Sequence, residues 1–210
     1  MESKPQSETS AATPPLINIV GEKVALGPLR KDLVPTYTRW YNDFNTLRTL
    51  GANPVPLAVE LEEQWYERVI QRGETEIAFT MYEQDTMRPI GNTGLNDIDY
   101  RNRTAEFGIT IGEPDARNKG YGTETAQLML GYAFTALGLH NVMLTVHEYN
   151  LAGIRAYTKA GFQEIGRRRE SIFMGGKLWD IIYMECLSTE WGPSPVLADI
   201  FKPDEPRPIP

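Results

Sequence analysis

The segment from Thr104 to Thr123 reads TAEFGITIGEPDARNKGYGT. Its first part, Ala105 to Ile111, alternates apolar and polar side chains and is rich in β-branched and aromatic types, which predicts a half-buried strand. From Thr123 to Leu137 apolar residues recur at Ala126, Leu130, Ala133, Phe134 and Leu137, a helical spacing. The run Arg117-Asn118-Lys119-Gly120-Tyr121-Gly122-Thr123 is therefore expected to join a strand to the start of a helix. Glycines let such a turn present its backbone N–H groups, and the helix behind adds unpaired donors and a positive dipole end. A phosphate suits that environment, with Arg117 and Lys119 as cationic partners. The same residues also suit an ordinary loop with charged side chains for solubility.

Two common phosphate loops are excluded by spacing. Lys119 precedes the glycines, so this is not Gly-x-x-x-x-Gly-Lys-Ser/Thr, and Thr125 stands where Gly-x-Gly-x-x-Gly needs its third glycine. What remains is Arg-x-x-Gly-x-Gly, which resembles the acyl-coenzyme A pyrophosphate loop of the GNAT N-acetyltransferases. Further on, Val142 to Val146 reads as a strand. It is followed by Asn150-Leu-Ala-Gly-Ile-Arg-Ala-Tyr157-Thr-Lys-Ala-Gly161-Phe162, similar to the GNAT segment in which an asparagine opens a short helix and Gly-Phe returns the chain to the sheet. Asparagine is a good helix N-cap, and glycine suits a left-handed helix stop. The resemblance extends roughly from Ile17 to Leu187 and is closest to the branch holding ribosomal-protein N-terminal acetyltransferases and spermidine acetyltransferases. Asp115 departs from it, since the family more often has a bulky residue there.

The resemblance implies an α/β (α+β) fold: a single GNAT domain whose central mixed, mostly antiparallel sheet has about seven strands, flanked by helices and splayed at the central strand. It implies acetyl-CoA as co-substrate, no metal, and transfer of an acetyl group to a primary amine by direct attack. The acceptor is left open between a polyamine, an antibiotic amine and a protein N-terminus. The cofactor residues it implies are Ile109, Thr110 and Ile111 against the pantetheine arm; Arg117, Asn118, Lys119, Gly120, Tyr121, Gly122 and Thr123 around the pyrophosphate; and Asn150. Tyr157 corresponds to the family's general acid beside the sulfur. Glu106 is the leading base, directly or through water, with substrate orientation or pairing with Arg103 as its alternatives. A non-catalytic GNAT-fold acyl-CoA sensor or assembly module is the rival reading.

Composition narrows the field independently. The 210 residues suffice for one domain with a substantial core. Net charge is −7, which disfavours a protein that grips nucleic-acid phosphates; it modestly favours cationic substrates, although keeping the protein soluble accounts for it more simply. Cys186 is the only cysteine and sits in an apolar run, as a structural thiol would; His140 and His147 are too few and too far apart for a zinc site. No apolar stretch is long enough to span a bilayer, and the polar beginning lacks a secretory apolar region, so the cytoplasm is expected, with no membrane partner and a homodimer as one assembly.

In chain order, residues 1–15 are expected to be a disordered arm, 16–187 the GNAT domain and 188–210 a Pro-rich tail whose proline density disfavours regular structure, with Trp191, Val196, Leu197, Ile200 and Phe201 apolar enough to pack on this domain or on a second subunit. The pattern predicts a first strand over Ile17 to Leu29 with a turn near Gly21-Glu22, then short helices over Asp32 to Tyr41 and Thr46 to Leu50, with a break at Asn53-Pro-Val-Pro56. A helix over Val59 to Gln71 would put Leu61, Trp65, Val69 and Ile70 inward. Its face of Glu60, Glu62, Glu63 and Glu67 would then be solvated, or would form a wall for a cationic substrate. Strands follow at Glu76 to Tyr82 and Pro89 to Ile98. A closing hairpin, Glu164 to Phe173 and Lys177 to Leu187, turns at Met174-Gly175-Gly176.

Overall fold

The computed structural model describes residues 14–51, 54–71, 73–192 and 195–202. The expected arm up to residue 13, the Ala52-Asn53 part of the break, and the prolines at 193, 203, 206, 208 and 210 lie outside them. One eight-stranded sheet organises the rest: β1 (Ile19–Val20), β2 (Val24–Pro28), β3 (Ile77–Glu83), β4 (Pro89–Asp99), β5 (Thr104–Ile111), β6 (Asn141–His147), β7 (Gln163–Met174) and β8 (Lys177–Leu187). Their spatial order is β1-β2-β3-β4-β5-β6-β8-β7. The strand beyond the expected seven is β1, two residues held by Ile19 and Val20 pairing with Leu26 and Ala25.

All neighbouring strands are antiparallel except β5 and β6, which run parallel. That parallel pair is also the shortest of the central contacts. It joins Thr104, Ala105 and Glu106 to Asn141, Val142 and Met143 and then stops, although β5 continues to Ile111 and β6 to His147. Beyond it β5 stays bonded to β4 as far as the Gly91–Ile111 pair, and β6 stays bonded to β8 as far as the His147–Ile181 pair. The sheet is thus two antiparallel halves joined at one end and splayed at the other.

Alternation along the strands sends side chains to two cores. On one face Phe79, Met81, Ala105, Phe107, Leu144 and Met184 pack with helix α4 (Tyr121–Gly131) and the C-terminal residue Ala160 of α5 (Leu151–Ala160). On the other, α1 (Val34–Asn42) and α3 (Val59–Gln71) bury Val34, Tyr37, Trp40 and Val69, with Ala78 of β3 against them. Pro35 falls in the first turn of α1, where its missing N–H costs nothing. A four-residue helix, α2 (Phe44–Leu47), follows, opened by Asp43 accepting from Asn45 N–H.

Two expectations need correction. The inward face of α3 is not Leu61-Trp65-Val69-Ile70: Leu61 and Ile70 are 53% and 55% exposed, while Glu62 is 5% exposed and lies on the stripe with Trp65, Tyr66 and Val69. Those four recur at i, i+3, i+4 and i+7, so a carboxylate occupies a position that helical periodicity reserves for an apolar side chain. The segment after 187 is also not wholly irregular. It forms α6 (Pro195–Ile200), beginning on the proline, with Leu197 fully buried. Just before it, Trp191 packs edge-on to Phe134 of the same chain at 5.7 Å.

The β7–β8 hairpin turns through Gly175 and Gly176, at φ 61° and 78°, the two positive values a two-residue turn needs. On β5, Phe107 stacks on Phe162 at 5.9 Å and meets the edge of Tyr157 at 6.2 Å, tying the splayed strand to α5. Phe107→Ala should cost about 3–5 kcal/mol, read as a lower urea midpoint with an unchanged m-value.

Candidate active site

The splay leaves the β6-facing backbone of β5 beyond Glu106 without a strand partner, a template for an extended ligand. A cavity of about 440 Å³ lies along this edge, lined by Ile109, Thr110, Ile111, Arg117, Asn118, Gly120, Gly122, Thr123, Asn150 and Tyr157. Gly120 adopts φ 88° as the residue before α4, and Asn118 adopts φ 62°, so the loop curls its backbone around the helix N-terminus. Gly122 has a different reason to be glycine. Its φ is ordinary, and a Cβ there would meet nothing nearer than Ile111 Cδ1 at 3.6 Å, so the space it leaves belongs to the cavity. An N-terminal helix turn with spare room beside a glycine fits a diphosphate.

Of the cofactor residues expected from the sequence, nine line this cavity and two do not. Lys119 Nζ lies 3.9 Å from Glu83, and the Tyr121 hydroxyl donates to the same carboxylate at 2.7 Å with its ring packed in the core, so both side chains brace the loop from behind. Arg117 donates to Thr46 Oγ1 at 2.7 Å and stands 3.8 Å from Asp43, linking the loop to α2. Asp115, the departure from the family pattern, is held by paired contacts from Arg88 at 2.9 and 3.1 Å. Asn150 caps α5 through Oδ1, which accepts from Gly153 N–H at 3.0 Å. Burial pushes the Tyr157 phenol up to about 12, which keeps the proton on it at neutral pH.

A second cavity, of about 640 Å³, opens on the other side of β5 between α1, α3 and the strands β3 to β5. The two cavities share Leu50, Ile109 and Thr110 and so meet across the splayed strand. Their charges differ in sign. Arg48, Arg117, Arg155 and Lys159 line the first; Glu62 and Glu76 line the second, which has no Lys, Arg or His in its wall among the described residues. Glu62 Oε1 has no hydrogen-bond partner, and burial alone raises this carboxyl to about 7. Both amide atoms of Asn92, which lines the same cavity, are also without partners, while the Tyr41 hydroxyl lies 3.4 Å from Thr110 Oγ1.

Glu106 is not among the residues lining either cavity. It lies on β5 two residues before Gly108, registered against Asn96, and both of those line the second cavity. Burial and then Asp97 raise its carboxyl. Pairing with Arg103, its alternative role, does not form: Arg103 instead donates to the Gly138 carbonyl at 2.7 Å. Glu62 was the residue sequence reading placed on the wrong face. The available signal was its i, i+3, i+4, i+7 relation to Trp65, Tyr66 and Val69.

Residues 23–163 match the acetyltransferase (GNAT) domain family, and the chain belongs to that family. The spermidine N(1)-acetyltransferase of Vibrio cholerae serotype O1 is 31% identical over 150 residues, 71% of this chain and 84% of that protein. The human alpha/beta-tubulin-N-acetyltransferase 9 is 28% identical over 158 residues, covering 70% and 75% respectively. Among solved structures, the spermidine N-acetyltransferase from Vibrio cholerae in complex with CoA and spermine superposes with a TM-score of 0.74 at 26% identity, over 81% of this chain and 98% of that one. The chain is an acetyl-CoA-dependent N-acetyltransferase, and the reading as a silent sensor or assembly module is set aside. No helix among the described residues is long and apolar enough to cross a membrane.

Glu62 also generates a stability test. Its folded value of about 7 lies above the ordinary 4.5, so the fold favours the uncharged carboxyl. That contribution is complete below pH 4.5 and is lost as pH rises through 7. Glu62→Gln should therefore be more stable than the parent at pH 8, by up to about 3 kcal/mol, and nearly equal to it near pH 4. Denaturant melts at both pH values check this, and a pH-independent difference would contradict it.

Proposed function

We propose that the acceptor is an aliphatic polyamine or diamine, acetylated on a primary nitrogen in the second cavity while acetyl-CoA occupies the first. The observation that carries this is the meeting of an acidic, largely apolar cavity with a basic groove at Ile109 and Thr110. A polyamine alternates ammonium groups with methylenes and matches such a lining, while the coenzyme's diphosphate matches the groove. The likeness to spermidine acetyltransferases adds independent support.

In this reading, backbone groups of Ile109 to Ile111 hold the pantetheine arm, the Arg117 to Thr123 loop holds the diphosphate, and Asn150 contacts the arm. Glu106 takes the proton of the reacting ammonium through water, leaving a neutral amine. The amine nitrogen bonds to the thioester carbonyl carbon, the C–S bond breaks, and Tyr157 gives its proton to the departing sulfur. The nitrogen's surplus proton restores the phenol, and the proton on Glu106 leaves to solvent. The catalytic domain spans 16–187, with the flanking segments accessory to it. The protein works in the cytoplasm as a homo-oligomer, a reading supported by the exposed Ile165, Phe173 and Leu178 on the β7–β8 hairpin.

Coenzyme A release measured across polyamines, aminoglycosides and N-terminal peptides tests the acceptor. Turnover with peptides alone would replace it by the protein N-terminus that the likeness to the tubulin acetyltransferase suggests. Tyr157→Phe should lower kcat about 100-fold with an unchanged Kd for acetyl-CoA, and equal turnover would remove the phenol from the acid role. Gly122→Asp should weaken acetyl-CoA binding at least tenfold, equivalent to about 1.4 kcal/mol, by filling the spare space with a negative charge; calorimetry reads it directly.

A further inference from the structure

The second cavity holds a carboxylate that nothing in the protein explains. Glu62 is 5% exposed, and one of its oxygens has no partner. The other titratable groups in the cavity wall are Tyr41 from α1 and Glu76 from the segment before β3; Asn92, Asn96 and Thr110 supply the neutral polar atoms. Nearby on α1, Arg39 is taken up by Glu113. Elsewhere on α3, Glu60, Glu63 and Glu67 are exposed. A buried carboxylate without a cation is costly to the fold, and substitution by an apolar residue would relieve it. An unpartnered carboxylate in a cavity wall points to a partner that arrives from outside.

We propose that Glu62 anchors the non-reacting ammonium of the acceptor, so that the cavity selects diamines and polyamines over monoamines. This rests on the acceptor reading above and names the residue behind it. The reacting nitrogen must be neutral at the junction with the acetyl groove, whereas a second nitrogen along the same chain stays charged and pairs with Glu62. The unpartnered Asn92 Oδ1 can accept a further N–H, and Leu47, Leu57 and Trp65 cover the methylenes. An ammonium at Glu62 would draw the carboxyl back toward its ionised form, so acceptor binding and ionisation are coupled. Acceptor affinity should fall as pH drops below about 7, where the free carboxyl takes up a proton.

The test compares 1,6-diaminohexane with 1-aminohexane as acceptors for the full-length parent, Glu62→Gln and Glu62→Asp. We expect the parent to prefer the diamine and Glu62→Gln to lose at least tenfold of that preference in kcat/KM. The loss should come mainly through KM for the diamine, with KM for acetyl-CoA unchanged. The parent's KM for the diamine should rise between pH 8 and pH 6, and that of Glu62→Gln should stay flat. Glu62→Asp keeps the charge one methylene further back and should recover part of the preference; it is also the second variant should Glu62→Gln fold poorly. Equal diamine preference in parent and Glu62→Gln would overturn the role of Glu62 and leave the acceptor reading standing. Failure of the parent to acetylate any diamine, while acetylating peptides, would overturn both.

Discussion

Three residue pairs hold the two halves of this sheet together, and the rest of the molecule follows from how few they are. β5 is bonded along its length to β4, and β6 along its length to β8, so each strand follows the twist of its own antiparallel half. Once the parallel ladder ends at Glu106 and Met143, neither strand needs the other for its backbone hydrogen bonds on the far side. The opened edge of β5 is left facing a groove, with its β6-side backbone groups unpaired by any strand.

The same strand separates two chemistries. One edge and face meet a groove with four cationic side chains and a helix N-terminus; the opposite face meets a cavity with two carboxylates. The two linings thus present opposite fields on either side of one strand, and they meet at Ile109 and Thr110. Tyr157 is positioned from the other core, by edge contacts to Phe107 and Phe162, so the phenol is placed by the same packing that fixes the splayed strand.

The site is not where the fold is best satisfied. Glu62 and Asn92 keep unpartnered polar atoms in the wall of a largely apolar cavity, against the general pattern of interiors in which buried polar groups find partners. Stability is given up at such positions where a ligand completes the hydrogen bonding. The loop before α4 is instead braced through its side chains: Lys119 and Tyr121 converge on Glu83, Arg88 holds Asp115, and Arg117 reaches Thr46.

Local chemistry made much of this legible in advance. Strand-forming composition between polar turns marked β3 to β6 to within a residue or so, Asn150 and Gly161 bounded α5, the glycine pair made the last hairpin, and the Arg-x-x-Gly-x-Gly spacing located the loop. These features depend on neighbours a few residues apart, which a sequence states outright. What the sequence alone determined was therefore the order of elements and the glycine turn that opens α4. Tertiary structure alone decided which way α3 turns, so that Glu62 faces inward; that Lys119 and Tyr121 point behind the loop; that the segment after 187 contributes a packed helix; and that two cavities meet at Thr110. Each of those depends on what lies across the sheet, and a helix rotated by one residue satisfies its own hydrogen bonds equally well.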